Sequence, residues 1–326
     1  KSISIHLIKK SSNLVALFYF IISIYAAVLV FKNGLLQTNL LGFQKIGISF
    51  RLDTIAVCMF VMVAFLSYVI IKFSNNYLDG DQRQGIFFGR LAATIAAVQL
   101  LILSGNLGIL FISWVLTSIC LNKLLLYYPG RILAKIAAHK KFIVARLADV
   151  ALLVSFVLLY STIGTGNLEE LFIKIQSLNS NHVVPFNVQL AVCFLAISAL
   201  FKSAQFPAHG WLTEVMETPT PVSALLHAGL LNAGPFLIIR MAFIFETSQI
   251  AGTILIIMGG ITALFASSVY LTQTSVKTAL AYSSIAHMGF SLFLCGIGFY
   301  SAAMLHMVAH SFYKAHAFLS SGDLFE

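Results

Sequence analysis

Lys202, His227, His306, His310 and Lys314 are the residues whose presence asks for a chemical explanation, because each stands in a stretch that is otherwise apolar. His306, His310 and Lys314 fall at i, i+4 and i+8, and on a helix each such step adds about 40° of rotation and about 6 Å of rise. They therefore form one polar stripe along a single helix face. Titratable groups spaced so that water can bridge them are what proton hopping requires. Lys202 has no acid within one helical turn in sequence, so its partner must come from another element or from water. A desolvated amine of this kind suits reversible protonation, and the alternative is a lysine that snorkels to an interface. His227 follows the helix start at Pro221 among Ala, Leu and Gly, where it is either a relay group or a hydrogen-bonded packing residue. Arg146 and Asp149, at i and i+3, can pair on one face, which either locks helix packing or serves a relay. His287 and His316 are weaker members of the same set, and Lys277 opens its helix where an interface anchor would also be expected. Histidines at i and i+4 could bind zinc only with a third ligand and an open position, and no HExxH or cysteine-rich partner is present. No metal or other cofactor is expected on this chain, and no Rossmann, P-loop or catalytic-triad template matches.

The elements that must hold these groups follow from composition. The chain is 59% hydrophobic, carries 28 Phe and has only 10% charged residues, far from the balance of a soluble domain. About 20 apolar residues cross a bilayer as a helix. Apolar runs at 13–31, 54–73, 86–104, 107–127, 140–162, 188–217, 219–244, 251–272, 277–299 and 300–320 predict an all-α polytopic membrane protein of about ten spans, a single transmembrane unit over residues 1–326. The run at 188–217 is expected to be broken at Pro207, which lacks a backbone donor and clashes with the preceding turn. A lysine beside a broken membrane helix is a functional signal, since free carbonyls at that depth are tolerated only against protein or a polar cavity. Cys58, Cys120, Cys193 and Cys295 lie inside apolar runs without CxxC spacing and are expected to be small core residues.

The net charge of +9 comes without any basic run interleaved with exposed aromatics, so it reports topology rather than nucleic acid. Lys1, Lys9 and Lys10, and the basic stretch Lys123 to Arg146 with Arg131, Lys135, Lys140 and Lys141, predict a cytoplasmic N-terminus and place the loop at Glu169 and Glu170 outside. Lys202 then lies about fifteen helical residues, or about 22 Å, from the outer side, near mid-membrane. Glu214 and Glu217 fall at the cytoplasmic end of the broken helix, as partner contacts or as solvated groups. The opening at Lys1 and the end at Glu326 just after a helix read as a piece of a longer chain, and no cleavable leader is visible.

Lys202-Ser-Ala-Gln, Trp211-Leu, Pro219-Thr-Pro-Val-Ser-Ala-Leu-Leu-His227, Lys277-Thr-Ala-Leu-Ala-Tyr-Ser-Ser-Ile, and His306 with His310 and Lys314-Ala resemble the proton-translocating antiporter-like subunits of respiratory complex I and of Mrp sodium/proton antiporters. The resemblance runs from about Asp79 to Glu326. It implies an antiporter-like fold in which Lys202, His227, His306, His310 and Lys314 form a hydrated half-channel, followed by the start of a second repeat. That family also pairs an acid in a Gly-Trp-Glu motif with the central lysine, whereas here Val115 stands at the acid's place. Trp114-Val-Leu-Thr-Ser118, the stretch from Lys140 to Asp149, Ala208-His-Gly-Trp-Leu-Thr-Glu-Val-Met-Glu-Thr218 and Lys314-Ala-His-Ala-Phe-Leu-Ser-Ser are similar to a divergent branch, the DabB membrane subunits of DAB-type inorganic carbon accumulation complexes. That likeness implies a subunit of a bacterial inner membrane that uses a proton or sodium gradient. The partner it implies is DabA-like, a cytoplasmic zinc subunit related to carbonic anhydrase that hydrates CO2 to bicarbonate. The alternatives are an antiporter-like subunit of complex I or Mrp, and a non-conducting anchor for a soluble enzyme.

Overall fold

Three short polar side chains start the helices that build one end of the molecule. Asp53 accepts from Ala56 N at 2.8 Å, Asn106 Oδ1 from Gly108 N at 2.9 Å, and Asn167 Oδ1 from Glu169 N at 2.9 Å, each satisfying a donor that the first helical turn leaves open. The computed structural model describes residues 2–128, 130, 132–215 and 218–321; Lys1, Arg131, Glu217 and Glu326 lie outside the described residues. Helices α1 (Ser2–Asn33), α2 (Thr54–Tyr77), α3 (Gln84–Ile102), α4 (Leu107–Leu125) and α5 (Ile132–Ile163) come first. Between α1 and α2 the chain makes two short antiparallel pairs, β1 (Leu36–Gln37) with β4 (Arg51–Leu52) and β2 (Leu41–Phe43) with β3 (Ile46–Ile48). These strands cap the end of the bundle where Asn106 holds Lys45 O and Gly47 N.

The stretch after α5, expected as a loop around Glu169 and Glu170, is instead helix α6 (Leu168–Ser180). Its buried residues Leu168, Leu171, Phe172 and Ile175 follow the i, i+3, i+4, i+7 pattern of a helix lying with one apolar face down. Then come α7 (Phe186–Lys202), the five-residue α8 (Gly210–Glu214), α9 (Thr220–Leu225), a π-helical turn (Leu226–Leu230), α10 (Ala233–Arg240), the short α11 (Ala242–Phe245), α12 (Gln249–Tyr270), α13 (Val276–Gly296) and α14 (Tyr300–Ser321).

Among the described residues eight helical segments are long and apolar enough to cross a membrane, fewer than the ten apolar runs of the sequence. The remaining two runs are the broken one, whose longer half is α7, and α14, which carries the His306, His310 and Lys314 stripe. Polarity and interruption, rather than loss of helix, account for the difference. The outer face of α1 exposes Phe18, Ile21, Tyr25 and Phe31, as a lipid-facing surface does, whereas the segment Thr220–Arg240 is wholly buried. That buried rod is the axis around which α2, α7, α13 and α14 pack.

Two pairs of glycines set the approach of α12 to α13. A Cβ on Gly259 would lie 2.6 Å from Gly289 O, and one on Gly296 would lie 2.8 Å from Gly252 O. Gly252 and Gly259, like Gly289 and Gly296, are two turns apart, so the antiparallel backbones touch at two successive levels. Small residues at a membrane helix crossing allow this close van der Waals packing.

Candidate functional site

Helix α7 ends at Lys202, and residues 203–209 leave helical geometry before α8 begins. Pro207 lies within this break; in a continued helix its ring would conflict with the carbonyl four residues back, that of Ser203, and the helix stops before that turn. Ala204 takes a left-handed conformation at φ 52°. Gly234 of α10 fits against the break because a Cβ there would sit 1.9 Å from Ser203 Oγ. Lys202 therefore occupies the C-terminus of α7, where the helix dipole favours a cation.

The partner that Lys202 lacks in its own neighbourhood of sequence comes from α4. Its Nζ donates to Trp114 O at 2.9 Å, Thr117 Oγ1 at 3.1 Å and Ser118 Oγ at 2.8 Å, and lies 4.3 Å from the Trp114 ring centroid. An ammonium has three donors and no acceptor, so all three are used. A hydroxyl can also turn and donate to a neutral amine, which lets the same cradle hold either protonation state. These ligands flank Val115, the place of the acid in the resemblance drawn above. Among the described residues the carboxylate within electrostatic reach of Lys202 is Asp149 of α5. Asp149 Oδ2 lies 2.7 Å from Arg146 Nη2, an ion pair whose geometry leaves both buried carboxylate oxygens without an aligned donor among the described residues. Helix α5 is fixed to α7 by Ser198 Oγ, which donates to Ala148 O at 2.8 Å.

A second polar cluster lies between α13 and α14. His287 Nδ1 and His306 Nε2 are 3.1 Å apart, and the His287 ring centroid is 4.9 Å from that of His310. His287, weak in the sequence, is thus the link between the two α14 histidines, whose own rings are 6.5 Å apart. Lys314 is fully buried and donates to Leu280 O at 2.8 Å. His310 is also buried, and neither of its ring nitrogens has a partner among the described residues. His316 is exposed and sits 3.0 Å from Ser320 Oγ, away from this cluster.

His227 occupies the π turn of the central rod and faces α14, its ring stacked on Phe318 at 4.3 Å. On the other side of that turn Leu226, Leu230 and Leu231 line a small cavity shared with Lys202. The structure therefore brings His287, His306, His310 and Lys314 together, places His227 beside them across Phe318, and sets Lys202 behind a leucine wall. No hydrogen bond among the described residues joins the two clusters. Among the described residues no group of three or more His, Cys, Asp or Glu is arranged to hold a metal ion.

Comparison with known proteins places this geometry. Residues 104–325, well over half of the chain, match the family described as NADH:quinone oxidoreductase/Mrp antiporter, TM, and residues 41–88 match the N-terminus of complex I NADH-ubiquinone oxidoreductase chain 5. The chain belongs to the NADH:quinone oxidoreductase/Mrp antiporter family. Within this antiporter family it is 40% identical over 281 residues to a probable inorganic carbon transporter subunit DabB of Hydrogenovibrio crunogenus, covering 86% of this chain and 53% of the relative. It is 31% identical over 329 residues to NADH-quinone oxidoreductase subunit L of Rickettsia typhi, covering 97% of this chain and 50% of the relative. The chain spans about half the length of the curated relatives it matches. Its fold is that of a chain in the Mrp complex from Dietzia sp. DQ12-45-1b, with a TM-score of 0.83 at 23% identity over 97% of this chain and 37% of that one. It is a multi-pass membrane protein of the antiporter-like class.

Proposed function

We propose that this chain is the ion-translocating part of a membrane subunit for inorganic carbon uptake. The reading rests on one observation above all: five chargeable side chains, Lys202, His227, His306, His310 and Lys314, stand inside the helical bundle of a chain most alike, among the relatives above, to DabB. Charge at that depth is costly and persists for a reason. Lys202 is the central protonatable site, His227 the next group, and His306, His310 and Lys314 the exit stripe, with His287 joining it. The ion is a proton or sodium, the membrane is a bacterial inner membrane, and the N-terminus is cytoplasmic, on the side of the basic stretch that contains Lys140 and Lys141. The partner is a DabA-like zinc subunit related to carbonic anhydrase, which would carry the CO2 hydration itself.

The 31% identity to NADH-quinone oxidoreductase subunit L favours a second reading, an antiporter-like subunit of complex I or Mrp. Copurification of the full-length protein distinguishes them: a soluble zinc subunit supports the first and redox or multi-subunit membrane partners the second. The relay assignment is tested by Lys202→Ala and His310→Ala in a strain whose growth in air depends on this complex. Both variants are expected to assemble and to lose rescue at ambient CO2. Normal rescue by both removes the relay and leaves an anchor.

A further inference from the structure

Lys141 belongs by sequence to the basic stretch before Arg146, where a solvated lysine is the ordinary expectation. It is instead 5% exposed. Its Nζ donates to Ser118 O at 2.8 Å, and Ser118 Oγ accepts from Lys202 Nζ at 2.8 Å, so one serine of α4 holds both amines. Lys141 and Lys202 also line the same cavity, of about 20 Å3, which is room for one water molecule. On α5, Lys141, Ala145 and Asp149 fall at i, i+4 and i+8, and Lys202 on the facing α7 is in electrostatic reach of both Lys141 and Asp149.

The charges around this cavity do not balance when both amines are protonated. Arg146 is already paired with Asp149, and Cys120 of α4, which also faces Lys141, is a thiol. Two ammonium groups on one serine would then share a single acid that has another partner. One proton held in common by the two amines avoids that cost. The residue before Lys141 on α5 reaches solvent: half-exposed Lys140 pairs with Glu214 of α8 at 2.5 Å.

We propose that Lys141 is a second proton-carrying group, which loads Lys202 through Ser118 and the cavity water from the face where Lys140 and Glu214 meet. An N–H bond of the Lys141 ammonium breaks as one forms on neutral Lys202, and Lys141 is reprotonated from the Lys140 side. This inference rests on the relay reading above. It is tested on the full chain with its partner in proteoliposomes, with proton flux driven by a potassium diffusion potential and read with an internal pH dye. Lys141→Arg keeps the charge and a donor to Ser118 but does not release its proton, so flux should fall roughly tenfold or more while the unfolding midpoint stays at the wild-type value. Lys141→His keeps a titratable group, and its flux should return with a pH profile displaced to lower pH. If Lys202→Met conducts normally, the relay reading itself fails. If Lys202→Met is silent while Lys141→Arg conducts at the wild-type rate, or the Lys141→His profile coincides with that of the wild type, only the role of Lys141 is overturned.

Discussion

Asp53 is the residue whose removal should harm this fold most for its size. Its carboxylate caps α2 through Ala56 N, accepts from Arg51 Nε at 2.9 Å, and pairs with Arg240 Nη1 at 2.5 Å. Arg240 is 1% exposed at its side chain and, among the described residues, otherwise donates only to Ile102 O. Arg51 in turn pairs with Glu169 of α6, so one carboxylate ties the strand cap, α2, α6 and the central rod. Asp53→Asn keeps a good cap but strands the Arg240 charge, a loss of about 3–5 kcal/mol. Asp53→Ala also removes the cap, adding about 1 kcal/mol. Against a total stability of about 5–15 kcal/mol either change is severe. Asp53→Asn with Arg240→Met should recover most of the loss, because an apolar pair of similar volume replaces a buried ion pair at little cost.

The same group sets an acid limit. Burial pushes the Asp53 carboxyl up, but the Arg240 charge, the Arg51 hydrogen bond and the Ala56 N–H together hold it below the usual carboxylate value. A folded-state value depressed in this way contributes stability above the unfolded value of about 3.9 and loses it as pH falls through the folded one. Unfolding of the detergent-solubilised protein, followed by circular dichroism, should be independent of this group from pH 7 to about pH 5 and steepen below about pH 4. Asp53→Asn should lack that acid limb. If Asp53→Asn unfolds within about 1 kcal/mol of the wild type, or the double variant is worse than both singles, the network is not the strut described here.

Three further outcomes are expected. Gly259→Ala should cost about 1–3 kcal/mol through overpacking against Gly289 O, read as a lower unfolding midpoint, with no loss on Gly260→Ala because that Cβ meets only the Phe293 side chain at 3.6 Å. Asn167→Ala should cost about 1 kcal/mol and raise hydrogen exchange at Glu169 N and Glu170 N, which the side chain now caps. Phe318→Ala should lower stability by about 3–5 kcal/mol, since the ring is fully buried, and should make His227 reactive toward a histidine reagent from which the stacked ring now shields it.

The membrane pattern was legible because a bilayer demands unbroken apolar length, and each of the ten apolar runs overlaps at least one helix among the described residues. The count of spans was not, since α14 buries polar groups such as His310 and Lys314 against protein and is less apolar than a lipid-facing helix. Helix α6 was hidden by two glutamates at its start, although its apolar residues already stood at helical spacing. Lys202 and the α14 stripe could be picked out because a charge in an apolar run is conspicuous. The oxygens that receive Lys202 could not, being contributed by a helix more than eighty residues earlier in the chain. Lys141 was masked by its basic neighbours, and the one available signal was its i+8 relation to Asp149. Nothing local announced the π turn at His227.

The paired glycines of α12 and α13 bear on how this molecule can rearrange. Backbones that touch at two levels are keyed like cogs: slipping either helix lengthwise by one residue would drive a side chain into the other's main chain. His287 lies two residues from Gly289 and so keeps a fixed height against α12. Displacement must be taken up elsewhere, and the obvious hinge is the non-helical stretch 203–209, whose first residue adjoins Lys202.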